Sequence, residues 1–180
     1  SHHRSHPPRP PPVQGYKMRN DDYQIDEDGN IINPDHDGGI YTAVHAWFAD
    51  PAAAKARYGP IASWDVSEVT DLSHLFIDQT NFNEDLSRWD VSNVMNMGGM
   101  LAGATSYNGD LSSWNVSNVE DMSSMFTGAT SYNGDLSSWN VSSVEDMAGM
   151  FNGATSYNGD LSSWNVSNVE DMRSMFDGAT

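Results

Sequence analysis

The chain contains no cysteine among its 180 residues, so it can form neither a disulfide nor a thiolate metal site. It also lacks any apolar run near the ~18–20 residues that a membrane-spanning helix needs. Basic side chains are scarce, with eight lysines and arginines against 25 aspartates and glutamates. These absences exclude disulfide-rich domains, thiolate metalloproteins and, within this segment, a membrane span.

The few basic residues are unevenly placed. Half of them lie in residues 1–20, which contain no acid, whereas residues 21–180 carry four basic and all 25 acidic side chains. A body of that charge repels a phosphate backbone. We therefore expect no nucleic-acid partner.

What the chain does contain is a repeat. A tryptophan recurs every 25 residues, together with the residues around it: Trp64, Trp89, Trp114, Trp139 and Trp164. Segments 111–135 and 136–160 differ at only 4 of 25 positions. A fixed period of this size is typical of a solenoid, in which each unit buries its apolar face against its neighbours.

The unit 111–135 predicts one strand and one helix. Trp114 and Val116 alternate with polar residues, as in a short strand. The next apolar residues have the i, i+3, i+4, i+7 spacing of one helix face: Met122, Met125, Phe126 and Ala129. Asn133-Gly134 then predicts a turn. The fold class expected is an α/β solenoid, with a short strand and a short helix in each 25-residue coil and a helical cap before the first.

The patterns divide the chain into three regions. Residues 1–20 carry five prolines in positions 7–12 and predict a disordered linker, with a proline-rich ligand as the alternative. Residues 21–60 predict a cap, made of a hairpin over 21–39 and two helices over 40–58. Residues 61–180 hold five copies of the repeat, the last truncated, so we expect the chain to be a fragment.

Carboxylates that recur in register raise the question of calcium. Asp110, Asp135 and Asp160 would form one column on stacked coils, and calcium accepts several carboxylates in loose geometry. Asp26 and Asp28 belong to a second acidic cluster, which lacks the glycine and the glutamate of an EF-hand loop. The alternative is that these side chains bond turn amides and keep the array soluble. We expect no cofactor.

Three sequons for N-glycosylation recur at the same position of the repeat, with Asn115, Asn140 and Asn165 as acceptors. In the first two copies this position holds Asp65 and Asp90, which favours a structural hydrogen-bonding role. Because the neighbouring valine is expected to point inward, the asparagine should point outward, where a sugar is sterically possible.

The residues that break the repeat are the only places for a unique site. His74 is the only histidine in the array, His45 lies in the predicted cap, and Arg88 replaces a serine of the other copies. No serine, lysine or second histidine is uniquely placed to complete a catalytic group around them. We therefore predict no enzymatic activity and no catalytic residue.

The segment WNVSNVEDMSSMFTGATSYNGDLSSW resembles the repeat of BspA-like leucine-rich-repeat surface proteins, in particular the mycoplasma-lipoprotein-type variant. The likeness covers about residues 61–180. It implies a right-handed leucine-rich-repeat-like array, export to the cell surface or beyond, and roles in adhesion or partner binding. Two features depart from ordinary leucine-rich repeats: methionine and tryptophan replace many leucines, and Val119 stands where an asparagine is usual.

The function expected is that of a non-enzymatic cell-surface or secreted module. It would bind a protein or glycan through a broad acidic face, since extended repeat surfaces bind by many weak, additive contacts. The alternative is a structural spacer or matrix component without a specific ligand.

Overall fold

The computed structural model describes residues 16–20, 27–28 and 39–180. Most of the predicted linker and hairpin, and Asp26 with them, lie outside the described residues. Residues 16–20, which the sequence placed in the linker, pack on the repeats. The N–H of Met18 donates to the carbonyl of Asp65 at 2.8 Å, and the N–H of Asp65 donates to Tyr16 at 2.9 Å. Met18 is fully buried, so the cap of the array includes this segment.

Two helices precede the repeats, as the sequence predicts. Helix α1 spans Ile40–Ala49 and helix α2 spans Pro51–Tyr58. Asp50 separates them because its side chain accepts the N–H of Ala53 at 3.2 Å and so caps α2, which begins at a proline. Gly59 ends α2 at a φ of 78°, a conformation that glycine adopts without strain.

The repeats contain neither strands nor α-helices. Across residues 61–180, all of which the structure describes, the only helical element is a 3-10 helix, Ile61–Ser63. Equivalent residues of successive coils meet in isolated parallel bridges, such as Asn96 with Asp121 and Asp121 with Asp146. The predicted α/β solenoid, with a strand and a helix in each coil, is therefore wrong. The chain forms a stack of turn-rich coils, numbered 1 to 5 from residues 61, 86, 111, 136 and 161.

The hydrogen bonds of residues 122–129, which the sequence predicts as a helix, show why the repeats are not helical. The N–H groups of Met122, Ser124 and Phe126 donate to carbonyls one coil later, at 2.8–2.9 Å. The N–H groups between them close turns within the coil, as Met125 does on Met122 at 3.2 Å. A helix would instead send every N–H to the carbonyl four residues earlier. Ser124 also has a φ of 57°, which no right-handed helix accommodates.

The apolar spacing nevertheless identifies the core. Every residue of the supposed helix face is fully buried: Met122, Met125, Phe126 and Ala129. Overlapping four-residue turns, which begin at Met122, Ser124 and Phe126, place the same residues inward. Periodicity alone therefore could not separate the two structures.

Tryptophan rings form the largest column of this core. The rings of Trp114 and Trp139 stack at a centroid distance of 6.4 Å, as do those of Trp139 and Trp164. The indole nitrogen of Trp139 donates to the carbonyl of Leu111 at 2.9 Å, and Trp89, Trp114 and Trp164 make the same bond to the coil before. These bonds satisfy the buried indole N–H groups and link the coils to one another.

A second aromatic column leaves its polar atoms unsatisfied. The hydroxyls of Tyr107, Tyr132 and Tyr157 are buried, and no hydrogen-bond partner for them lies among the described residues. Burial, reinforced by the carboxylate of Asp135, raises the pKa of Tyr157 to about 12, and burial raises the pKa values of the other two further still. These tyrosines are therefore neutral and serve as core.

A glycine lies over each of these hydroxyls. A Cβ atom on Gly134 would overlap the hydroxyl oxygen and Cζ of Tyr132, and the same holds for the other two tyrosines. Coil 1 has Phe82 at the tyrosine position and Glu84 at the glycine position. Coil 1 thus lacks both the hydroxyl and the glycine, which links the glycine to the hydroxyl that it faces.

Candidate functional site

Glutamates form a continuous column on one outward face of the later coils. We call Glu120, Glu145 and Glu170 the glutamate column; all three side chains are exposed. The N–H of Glu145 donates to the carbonyl of Glu120 at 2.8 Å, and that of Glu170 donates to Glu145 at 2.7 Å. Because hydrogen-bonded backbone sets their spacing, the carboxylates make a regular row of negative charge.

A groove crosses coils 1 to 4 at the start of this column. This acidic groove has a volume of about 550 Å³ and is open to solvent; its walls include Glu68, Asn93, Met95, Asn118, Glu120 and Ser143. The amide nitrogens of Asn93 and Asn118 each donate to a serine carbonyl of the previous coil at 2.7 Å. These bonds orient the amides, so much of the groove wall is held by the stack itself.

One end of the acidic groove is already paired with a cation. The ammonium of Lys17, in the cap, lies 3.2 Å from the carboxylate of Glu68. Both side chains are more than half exposed, so this ion pair contributes little to stability. It shows, however, that the groove wall is accessible to a basic side chain.

The sequence analysis predicted none of the groove residues, and Met95 is the least expected of them. It stands at the position of the glutamate column, where coil 1 has Thr70, and 47% of it is exposed. Most methionines of the repeats are buried core, so residue type was misleading here. The repeat register would have found it, because Glu120 and Glu145 occupy the same position outside the core.

The aspartates proposed as calcium candidates bond the turns of their own coils. The carboxylate of Asp135 accepts the N–H and the hydroxyl of Ser137 at 2.9 and 2.6 Å, and Asp110 bonds Ser112 in the same way. The serine hydroxyl, followed by the serine N–H, holds the pKa of each aspartate below its ordinary value. Asp160 accepts the N–H of Ser162 at 2.9 Å.

No cluster of three or more histidine, aspartate or glutamate side chains suited to a metal ion occurs within 16–20, 27–28 and 39–180. Asp28 lies at an exposed turn. Calcium binding between coils remains a prediction. A calcium titration that leaves the thermal midpoint unchanged would remove it.

The sequon asparagines have a structural bond as well. The side-chain oxygen of Asn115 accepts the N–H of Ser117 at 3.0 Å, and Asp65 makes the same bond to Ser67 in coil 1. Asn140 and Asn165 follow the pattern at 3.1 Å. All three asparagines are exposed, so glycosylation is sterically open and remains a prediction, testable by mass spectrometry of secreted material.

The structure separates the non-repeating residues into two places. His45, on α1, and His74, in coil 1, line one cavity between the cap and the first coil. Arg88 is exposed on another part of the surface, where it helps to lower the pKa of Asp85 after the larger effect of the Ser87 hydrogen bonds. The sequence marked these residues as unusual but could not show that the histidines share a cavity.

A family model described as "Mycoplasma protein of unknown function, DUF285" matches residues 42–151 and 113–180. Together the matches span 42–180, most of the chain, and the protein belongs to this family. The broader likeness to BspA-like leucine-rich-repeat proteins is not among the matches. No curated protein and no solved structure matches the chain. Within the part of the chain that the structure describes, no helix is long and apolar enough to cross a membrane.

Proposed function

We propose that this member of the Mycoplasma DUF285 family is a non-enzymatic binding module, displayed at a cell surface or secreted, whose acidic groove and glutamate column contact a protein or glycan partner. The observation that carries the proposal is the groove itself: a concave, open surface that crosses four coils and leads into a regular row of carboxylates. The resemblance of the repeat to that of BspA-like surface proteins supports the proposed surface display.

Charge and geometry favour an extended cationic partner. The chain carries a net charge of −17, which attracts basic segments over a distance and accelerates their association. The column then offers equivalent carboxylates in successive coils, so contacts to one linear partner add up without any single strong site. Lys17 already shows, at Glu68, the kind of contact that such a partner would make.

The test is a pull-down from cell-surface and matrix extracts with two triple variants of equal charge. Glu120→Gln/Glu145→Gln/Glu170→Gln removes the glutamate column, whereas Asp110→Asn/Asp135→Asn/Asp160→Asn removes three charges from the aspartate row and keeps a side-chain oxygen for each turn. We expect the first variant to lose most of the captured partner and the second to retain it. Equal loss from both would show a net-charge effect, and capture by neither variant nor parent above background would reject the proposal.

The near-identity of the coils favours one competing function, that of a spacer without a ligand. Segments 111–135 and 136–160 differ at 4 of 25 positions, as a length-setting element requires. Deletion of 111–135 distinguishes the two, because it should leave a spacer functional but weaken a multivalent binder sharply.

A further inference from the structure

The acidic groove combines side chains that no other part of the same face brings together. Two positions of each coil belong to this face. From coil 1 to coil 5 they hold Glu68 and Thr70, Asn93 and Met95, Asn118 and Glu120, Ser143 and Glu145, and Asn168 and Glu170. At the second of these positions, an apolar residue and a carboxylate are neighbours only where coil 2 meets coil 3. That boundary lies in the middle of the four coils that the groove crosses.

Met95 gives the groove an exposed apolar surface at a fixed place. The N–H of Met95 donates to the carbonyl of Thr70 at 2.8 Å, and its own carbonyl accepts the N–H of Glu120 at 2.8 Å. Hydrogen-bonded coils lie about 4.8 Å apart, so the flexible thioether is held one such spacing from Glu120. Because these backbone groups are already paired, a ligand in the groove contacts side chains and does not add a strand.

The polar groups of the groove are chiefly hydrogen-bond acceptors. Glu120 brings a carboxylate, which only accepts. The amides of Asn93 and Asn118 are held to serine carbonyls through their nitrogens, so the oxygen on the other branch of each amide is the group that can accept from a ligand. The Thr70 hydroxyl donates to the side-chain oxygen of Asn20 at 3.0 Å, which leaves its own oxygen as an acceptor too. A ligand that suits these described walls therefore carries several N–H donors.

We propose that the acidic groove binds the arginine side chains of an extended peptide. A guanidinium carries five N–H donors in a flat fork, so it can bond the Glu120 carboxylate with two of them and still donate to the amide oxygens of Asn93 or Asn118. Its weakly hydrated faces and aliphatic stem pack on Met95. A lysine offers the same charge on a compact, strongly hydrated ammonium, which gains less from an apolar neighbour and separate acceptors.

This inference rests on the proposed function and narrows the partner to a protein with exposed arginines. The test is an NMR titration of the full chain with blocked peptides Gly-Lys-Gly-Xaa-Gly-Lys-Gly, in which Xaa is arginine, lysine or citrulline. Citrulline keeps the shape of arginine but not its charge. The arginine and lysine peptides have equal net charge, so long-range attraction does not distinguish them.

We expect the arginine peptide to shift the methyl signal of Met95 and the side-chain amide signals of Asn93 and Asn118. It should bind about threefold more tightly than the lysine peptide, the effect of an additional neutral hydrogen bond. It should bind about tenfold more tightly than the citrulline peptide, which lacks a charged donor for Glu120.

The outcomes separate this inference from the proposed function. Equal binding of the arginine and lysine peptides, or shifts confined to Glu145 and Glu170, would reject arginine recognition and leave a cation-binding face in place. Tighter binding of a glucosamine hexamer than of the arginine peptide would overturn the inference in favour of a glycan. Capture of a partner that depends on the glutamate column, without binding of any peptide, would reject the inference alone. Absence of both would reject the inference and the proposed function together.

The repeats supply groove variants that the stack already tolerates. Asn118→Ser introduces the residue that coil 4 has at this position, Ser143, and Met95→Thr introduces that of coil 1, Thr70. Each should weaken binding of the arginine peptide about threefold to fivefold and reduce its advantage over the lysine peptide, with a thermal midpoint near that of the parent. Asn168→Ser removes the same kind of bond, to a serine carbonyl of coil 4 at 2.6 Å, outside the groove, and should leave binding within about twofold. An unchanged preference for arginine in both groove variants would reject the assignment.

Discussion

Coil 1 and the interior coils have the same backbone path but pack against different neighbours. An interior coil such as 111–135 packs between coils of similar sequence, and its Tyr132 ring stacks with the equivalent rings on both sides. Coil 1 packs between coil 2 and a cap of unrelated sequence, in which Trp47 meets Trp64 edge-on rather than in a stack. Coil 1 alone carries Phe82, Glu84 and His74 at their positions. Residues that depart from the repeat are thus found where the stack packs against the cap rather than against another coil.

The largest expected difference in stability between coil 1 and the interior coils is at the glycine position of the repeat, which is Gly134 in coil 3 and Glu84 in coil 1. Gly134→Ala forces a Cβ against the buried Tyr132 hydroxyl, so we expect a loss of about 1–3 kcal/mol in the free energy of unfolding. Glu84→Ala at the same position of coil 1 should change it by less than about 0.5 kcal/mol. Urea unfolding followed by circular dichroism measures both. Similar losses would show that the glycine is needed for another reason.

A double-mutant cycle sharpens this contrast. Tyr132→Phe removes a buried hydroxyl without a partner, so alone it should be neutral or stabilising. Combined with Gly134→Ala it removes the closer of the two overlaps, that with the hydroxyl oxygen, and should recover part of the loss, about 1 kcal/mol. Additive effects of the two changes would refute the coupling between hydroxyl and glycine.

A smaller effect concerns the aspartate row under acid. The folded pKa values of Asp110, Asp135 and Asp160 are lowered, chiefly by serine hydroxyls. Their stabilisation is therefore present above the unfolded value of about 3.9 and is lost as the pH falls through the folded value. The thermal midpoint of the parent, relative to that of Asp110→Asn/Asp135→Asn/Asp160→Asn, should decrease between about pH 5 and 2. A constant difference would contradict the assigned bonds.

The smallest expected effect is a difference in aspartate pKa between coil 1 and an interior coil. Asp85, in coil 1, has the cation Arg88 beside it, which lowers its pKa in addition to the Ser87 bonds. Asp135 has the same kind of serine bonds, but the carboxylates of Asp110 and Asp160 raise its pKa. NMR titration should therefore show Asp85 protonating at a lower pH than Asp135. Arg88→Ser, which introduces the residue that coil 3 has at this position, should reduce the difference between the two pKa values.

The sequence alone predicted the core, the cap helices and the register, because these depend on which residues are apolar and where helix signals stand. It could not predict the backbone of the repeats, because the spacing of Met122, Met125 and Phe126 suits consecutive turns as well as a helix. The acidic groove depends on contacts between residues about 25 positions apart, and the cavity that His45 and His74 line depends on how α1 packs on coil 1. His45 and His74 stood out in the sequence, but their proximity required the fold.

The most direct test of the turn-rich stack is the measurement of couplings across its hydrogen bonds in the isotopically labelled full chain. The structure predicts couplings from the amide nitrogens of Met122, Ser124 and Phe126 to the carbonyl carbons of Asp146, Ala148 and Met150, one coil later. Couplings from the same amides to carbonyls four residues earlier would mean that each repeat contains a helix and would contradict the stack described here.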